Sequence, residues 1–304
     1  MEKILYFCSE IMNIIRLIRP EQWVKNVFVF IPLFFSGMLF DTSRLWCCIV
    51  AFMSFCFVAS SIYCLNDIID APRDKVHPEK CKRPIASGEV SVTSAYILMA
   101  VLYLMGVVSA FLLPDRSASF KLLAVVMFYH GMNMVYCTLL KKIAIVDVFV
   151  ISVGFVLRIF AGGVAAHLFI TEWIVLMTFL LALFMALAKR RDDVILYMDT
   201  GVAPRKNTSR YNLEFIDQLL TLTATMTMVC YIMYCVSDQV IERFHTHFVY
   251  ITAVFVLAGI SRYLQLVMVY KQSSNPTKIL LHDRFLQLCI VAWVIAFAII
   301  IYVV

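Results

Sequence analysis

Nine stretches of about 20 apolar residues, separated by short charged breaks, constrain this chain more than anything else in it. They cover about 24–41, 45–65, 91–113, 119–140, 143–167, 171–188, 216–237, 247–270 and 284–304. A helix of that length crosses a hydrocarbon core and satisfies its own backbone polar groups on the way. The chain is 62% hydrophobic and 15% charged, against roughly 45–50% and 25% for soluble domains, more apolar surface than one globule of 304 residues can bury. The expectation is an all-α, polytopic membrane protein with nine transmembrane helices and a single domain over 1–304. Pro32 and Gly37 predict a bend in the first stretch.

Lys and Arg set the orientation. With the N-terminus inside, 20 of the 26 fall on the inner side and four (Arg44, Arg116, Lys121, Arg243) on the outer side. The multi-pass chain therefore sits in an inner, plasma-type membrane with residue 304 external and the two long loops, 66–90 and 189–215, cytoplasmic. Residues 4–18 alternate apolar and polar side chains at near-helical spacing, which predicts an interfacial helix on the inner leaflet. Glu10, Asn13 and Arg16 interrupt the apolar run after Lys3, so no cleavable signal is expected there. Most of the ten cysteines lie within spans and none forms a C-x-x-C pair, which reads as buried thiols.

The first chemical constellation follows the second span, Asn66-Asp67-Ile68-Ile69-Asp70-Ala71-Pro72-Arg73-Asp74. Asp67, Asp70 and Asp74 stand at i, i+3 and i+7, one face of a helix. Stacked carboxylates repel each other, and a divalent cation removes the repulsion. Mg²⁺ suits them, because it prefers oxygen and is usually shared with substrate phosphates; Mn²⁺ is the second candidate. Pro72 predicts a kink after Asp70, with Asp74 either on the helix or in a turn. Next come His77-Pro78-Glu79-Lys80-Cys81-Lys82-Arg83-Pro84-Ile85-Ala86-Ser87-Gly88. Cations here would neutralise a diphosphate that a metal only partly cancels, Arg83 through its planar fork and Lys80 as a point charge. Ser87-Gly88 is expected to form a tight turn with free N–H groups. Each stretch alone also reads blandly, as an acidic helix end or a topology signal.

Three further groups carry charge near the membrane. Arg19, Gln22, Trp23 and Asn26, with Lys25, occupy the entry to the first span and read either as a binding face or as an interfacial belt. Asp147 and Arg158 are three helical turns apart on one side of the fifth span, preceded by Tyr136 and Lys141; intramembrane charge marks a site or a structural pair. Lys189-Arg190-Arg191-Asp192-Asp193 opens the second long loop with mixed charge suited to phosphate, sugar or metal. Two charged loops four spans apart suggest halves that each present one loop to a shared site.

At these residues the chain resembles the UbiA-type intramembrane prenyltransferase superfamily. N-D-x-x-D-x-x-x-D at 66–74 and a second polar loop after the sixth span carry the resemblance over nearly the whole chain. Arg19-Pro20, Gln22-Trp23, Lys25-Asn26, the His77–Gly88 run, Gly154–Arg158 with Ala161-Gly162, and Lys189-Arg190-Arg191 resemble the decaprenyl-phosphate phosphoribosyltransferase branch. The second loop departs from the superfamily's D-x-x-x-D, which favours phosphate and ribose binding over a second metal. The branch implies transfer of phosphoribose from 5-phosphoribosyl 1-diphosphate to a polyprenyl phosphate, with diphosphate released and no nucleic-acid partner. Asp67, Asp70 and Asp74 would hold Mg²⁺ and Lys80, Arg83 and Lys141 would neutralise the leaving group. Arg158 or Lys189 would position the lipid phosphate. Lys189, Arg190 and Arg191 are the candidates for the donor's 5-phosphate. The alternatives are transfer of an isoprenoid to an aromatic acceptor and, more remotely, a transporter. A transporter leaves three carboxylates outside the membrane without a purpose.

Overall fold

The structure is a computed structural model that describes residues 11–76, 80–201, 203, 205, 207–270, 279 and 282–302. Among the described residues it is helical with no strand. Helix α1 (11–18) leads into a 3₁₀ segment, Pro20–Phe30, and a short helix α2 (Ile31–Phe35). Then follow α3 (Thr42–Asp74), α4 (Val92–Ser109), α5 (Arg116–Thr138), α6 (Val146–Ala165), α7 (Glu172–Thr200), α8 (Leu213–Cys235), α9 (Asp238–Phe244), α10 (Ala253–Met268) and α11 (Arg284–Tyr302).

Eight of the described helices are long and apolar enough to cross a membrane. The stretch 24–41, expected as a ninth, is not a continuous helix. Pro20 and Pro32 each remove a backbone donor, and the chain answers with a 3₁₀ segment, five α-helical residues and a turn in which Gly37 has φ 74°. The interfacial helix expected over 4–18 is described from residue 11, where Ile11, Met12, Ile14 and Ile15 lie exposed and Leu17 is buried. Outward-facing Ile97, Leu104, Val254 and Leu288 are the surface that lipid would cover.

Helix starts follow the sequence. Asp41, Ser91, Asp115, Thr171 and Asn212 each turn a side-chain oxygen onto a first-turn N–H of the helix they precede. The bonds from Ala118 and Ser117 hold the Asp115 carboxyl below the usual carboxylate range. Helix α3 is 33 residues long, about 50 Å at 1.5 Å per residue, while a hydrocarbon core takes up only about 30 Å. Its last turns, which carry Asn66 to Asp74, must therefore project beyond the apolar layer. Helix α3 runs through Pro72 to Asp74, so of the two places open to Asp74 it takes the helix and not a turn. Helix α7, with 29 residues, likewise continues past its apolar part, so Lys189 to Thr200 are helix and not loop.

The chain forms two compact units. Unit one comprises the residues up to Leu140 with Leu157–Ile170, and unit two comprises Lys141–Val156 with the residues from Thr171 onward. In unit one α3 packs on α4, α5 and the 3₁₀ segment. Ser54 Oγ donates to the Gly106 carbonyl at 2.7 Å, and Leu17, Cys64, Ala71, Ile85, Ala95 and Leu102 form a core under the 80–90 loop. Gly162 lies so close to the 3₁₀ segment that a Cβ there would sit 1.8 Å from the Val29 carbonyl oxygen. In unit two α7 and α8 pair, joined by α10, around Phe184, Leu187, Val194, Ile216, Leu220, Tyr263 and Val267. Each unit carries one of the two long loops.

Candidate active site

In unit one the projecting end of α3 meets two arginines from distant parts of the sequence. Asp67, 2% exposed, accepts from Arg19 Nη2 on both oxygens, at 2.5 and 2.7 Å. Arg83 Nη1 bridges Asp67 Oδ1 at 3.1 Å and Asp74 Oδ2 at 2.7 Å. The i, i+7 spacing puts both carboxylates on one face, so a single guanidinium spans them, and half-exposed Asp70 stands one turn from Asp67. Arg19 reaches Asp67 from a left-handed backbone, φ 56° and ψ 61°, directly before Pro20. A non-glycine residue pays about 1 kcal/mol or more for that conformation, and here it follows from ending α1 immediately before a proline.

Arg83 is presented by a compact turn. Ser87 N donates to Arg83 O at 2.8 Å, Gly88 N to Ile85 O at 3.3 Å, and Val90 N to Pro84 O at 2.9 Å, with Gly88 at φ 85°. The Ser87 and Gly88 N–H groups are thus used inside the turn, where free donors were expected. Arg16 ties this loop to α1, donating from Nη2 to the Lys82 carbonyl at 2.9 Å and pairing from Nη1 with Glu89 at 3.3 Å. Arg16, Arg19, Glu21, Lys80, Lys82, Arg83 and Pro84 line an open cleft of about 390 Å3. Five cations and one acid face it. His77 lies outside the described residues.

The 3₁₀ segment explains the rest of the entry motif. Its i, i+3 repeat aligns Trp23 and Asn26 on one line. Trp23 Nε1 donates to Ser60 Oγ at 3.0 Å, which donates to the Ile18 carbonyl at 2.9 Å. Asn26 donates to Cys56 Sγ at 3.1 Å and accepts from Arg158 Nε at 2.8 Å. Gln22 and Lys25 lie half-buried on a different line. Arg158, 4% exposed, also donates to Tyr129 OH at 3.3 Å and stacks over Phe55 and Tyr129, 4.9 and 5.2 Å from the ring centroids. Asn66 accepts from Cys137 Sγ at 3.8 Å, and Tyr136 packs beside Ile62, Leu65 and Cys137.

Unit two contains a second charged cluster of a different kind. Arg190, 1% exposed, donates from Nε to Asp147 Oδ2 at 2.6 Å and from Nη1 to Asp193 Oδ2 at 2.8 Å. Arg205 Nε reaches the same Asp193 oxygen at 2.8 Å. Tyr211 OH donates to Asp147 Oδ1 at 2.9 Å and accepts from the Ile145 N–H at 2.6 Å. Arg191 donates from Nε to Asp217 Oδ1 at 2.6 Å and from Nη1 to the Val267 carbonyl at 2.9 Å. Asp147 and Arg158, expected on one side of a helix, are each held by other residues. Lys189 is exposed, Asp192 is half-buried, and Lys141 lies in the turn Leu140–Lys142. The sequence reading missed Arg16, Glu89, Arg205, Tyr211 and Asp217 as members of these clusters, and it quoted Lys82 within the cationic stretch without giving it a role of its own.

The Asp face can be tested against a magnesium ion. Among the described residues no three His, Cys, Asp or Glu side chains are close enough to cage a metal by themselves. Mg²⁺ seldom uses such a cage; it takes one or two carboxylates and completes its shell with water and substrate phosphate. Half-exposed Asp70, with Asp67 and Asp74 once Arg19 and Arg83 exchange those carboxylates for diphosphate oxygens, is that kind of donor set beside a cation-lined cleft, so the residues fit a metal shared with a diphosphate.

The sequence pattern of the UbiA prenyltransferase family matches residues 28–288, a stretch that includes residues of both units. The chain belongs to that family. Among UbiA relatives, the decaprenyl-phosphate phosphoribosyltransferase of Mycolicibacterium smegmatis is 32% identical over 295 residues, covering 93% of this chain and 91% of the relative. The enzyme of that name from Corynebacterium glutamicum is 31% identical over 293 residues, 96% of this chain and 87% of the relative. A UbiA homolog from Archaeoglobus fulgidus, solved bound to GPP and Mg²⁺, superposes with a TM-score of 0.69 at 16% identity, covering 96% of this chain and 100% of that one. At that identity the likeness is one of fold. The UbiA chain described here is accordingly a multi-pass membrane transferase.

Proposed function

We propose that this protein transfers phosphoribose from 5-phosphoribosyl 1-diphosphate to a polyprenyl phosphate and releases diphosphate. The observation that carries the reading is the Asp67–Asp74 face, bridged by Arg83 and with Arg19 paired to Asp67, beside a cleft lined by three more cations. The relatives named above, similar over nearly the whole chain, support the choice of substrates.

Asp67, Asp70 and Asp74 would hold Mg²⁺, which when bound supplies positive charge to the leaving diphosphate. Arg19, Arg83 and Lys80 donate hydrogen bonds to diphosphate oxygens and stabilise the charge that grows as the C1–O bond lengthens. An oxygen of the lipid phosphate forms the new bond to C1 from the opposite side, so the anomeric centre inverts. That phosphate is already an anion and needs no general base. The Lys and Arg bias supports an orientation with the N-terminus and the 66–90 loop on the cytoplasmic side of a plasma-type membrane and the C-terminus external.

The test is purified protein in detergent given two substrate pairs, with products read by mass spectrometry. Phosphoribosyl diphosphate with a polyprenyl phosphate should yield the phosphoribosyl lipid, and prenyl diphosphate with an aromatic acceptor should yield nothing. The opposite result overturns the reading and leaves the family alone standing. Asp67→Asn and Asp70→Asn should each abolish turnover while the protein still melts cooperatively. Full activity in excess chelator would remove the metal.

A further inference from the structure

A sugar donor with a diphosphate on C1 and a phosphate on C5 has two anionic ends separated by the ribose. The monophosphate alone carries about −1.5 to −2 charges near neutral pH and asks for cations of its own. Two segments line the cleft, and each offers cations at two levels. At the level of the carboxylates, Arg19 and Arg83 meet on Asp67. Three residues earlier, within α1, Arg16 meets the other segment at Lys82, through its bond to the Lys82 carbonyl. That bond and the Glu89 contact hold Arg16 over the cleft while its side chain stays 46% exposed and open to a ligand. Lys80 and Lys82 line the same space, whose volume of about 390 Å3 is in the range of small-molecule sites.

In unit two, by contrast, Arg190 and Arg191 are buried and bonded to Asp147, Asp193 and Asp217. A phosphate binding to them would first have to displace those carboxylates.

We infer that Arg16 and Lys82 form the subsite for the donor's 5-phosphate, so that both phosphate ends of the donor are read within unit one. This rests on the phosphoribosyl transfer proposed above. It makes the junction of α1 with the 80–90 loop the element that separates a sugar donor from a prenyl donor, which has nothing to place there.

The experiment uses the full chain in detergent with Mg²⁺, two surface variants, Arg16→Gln and Lys82→Gln, and two competing probes, ribose 5-phosphate and inorganic diphosphate. Each variant should raise the KM for phosphoribosyl diphosphate and the inhibition constant of ribose 5-phosphate by about tenfold or more, the loss of one charge-assisted hydrogen bond. The inhibition constant of inorganic diphosphate and the KM for lipid phosphate should stay within about twofold, because neither probe reaches the second level. If the wild type turns over phosphoribosyl diphosphate and both variants bind ribose 5-phosphate as it does, the subsite is overturned and the proposed reaction stands. An equal weakening of both probes would also overturn it, since that is the mark of a general loss of positive charge. If the wild type does not use the sugar donor at all, the reaction and the subsite fall together.

Discussion

Unit one and unit two each bring arginines onto aspartates near the end of a long helix, yet the two clusters differ in how much water they see. In unit one the Arg19 and Arg83 side chains that hold the carboxylates are 19% and 25% exposed and border an open cleft. In unit two Arg190 and Asp147 are 1% and 0% exposed, and a tyrosine hydroxyl and a backbone N–H complete the network. Charges removed from water must satisfy each other, and every donor spent on a neighbour is unavailable to a ligand. The open cluster can exchange its partners for phosphate, whereas the closed one braces α7 against α6 residue 147 and the segment around 205–211. Similar composition thus leaves an open cleft in one place and a closed internal brace in the other.

The largest effect that would break this comparison is expected at Arg190. Arg190→Ala leaves Asp147 and Asp193 without their shared guanidinium, and removing one partner of a buried pair costs about 3–5 kcal/mol. Thermal melting in detergent should show a large loss of stability. A variant that melts like the wild type but binds the sugar donor poorly would turn the brace into a binding site. Arg83→Gln should lower kcat/KM for the sugar donor by about ten- to a hundredfold with a smaller loss of stability than Arg190→Ala, because Asp67 keeps Arg19 and the arginine's own site is open to water. A collapse in stability there would make unit one's cluster structural as well. The smallest effect is expected at Tyr211→Phe. It removes one bond to Asp147 and one acceptor for the Ile145 N–H, a loss of about 1–3 kcal/mol in stability with KM values unchanged.

What the sequence made legible was local. Apolar length announced the eight crossing helices, and the spacing of Asp67, Asp70 and Asp74 announced a common face, because both follow from helix geometry within one segment. The stretch 24–41 read as a ninth helix because hydropathy does not register how Pro20 and Pro32 redistribute hydrogen bonds. Lys189 to Asp193 read as a loop suited to phosphate, sugar or metal because charge ended the apolar run, whereas α7 continues and buries Arg190 against partners as distant in sequence as Asp147. The pairing of Arg19 with Asp67, 48 residues apart, depends on a left-handed turn before Pro20 that no periodicity reveals. Arg16 was read as a charge that breaks the first apolar run and sets orientation, since its role comes from meeting a loop more than 60 residues away.

The contact between Gly162 and Val29 has a consequence in genetic terms. A carbonyl oxygen occupies the place where a Cβ would stand, 1.8 Å away, and it belongs to backbone that cannot swing aside as a side-chain end would. Every residue other than glycine carries a Cβ. No missense change at codon 162 is therefore conservative, and alanine, the mildest on any similarity scale, already forces the 3₁₀ segment away from α6. That segment begins at Pro20, directly after Arg19, so drift at this codon would be felt at a guanidinium it never touches. The position has no neutral neighbour in sequence space, and a survey of tolerated variants should find it empty.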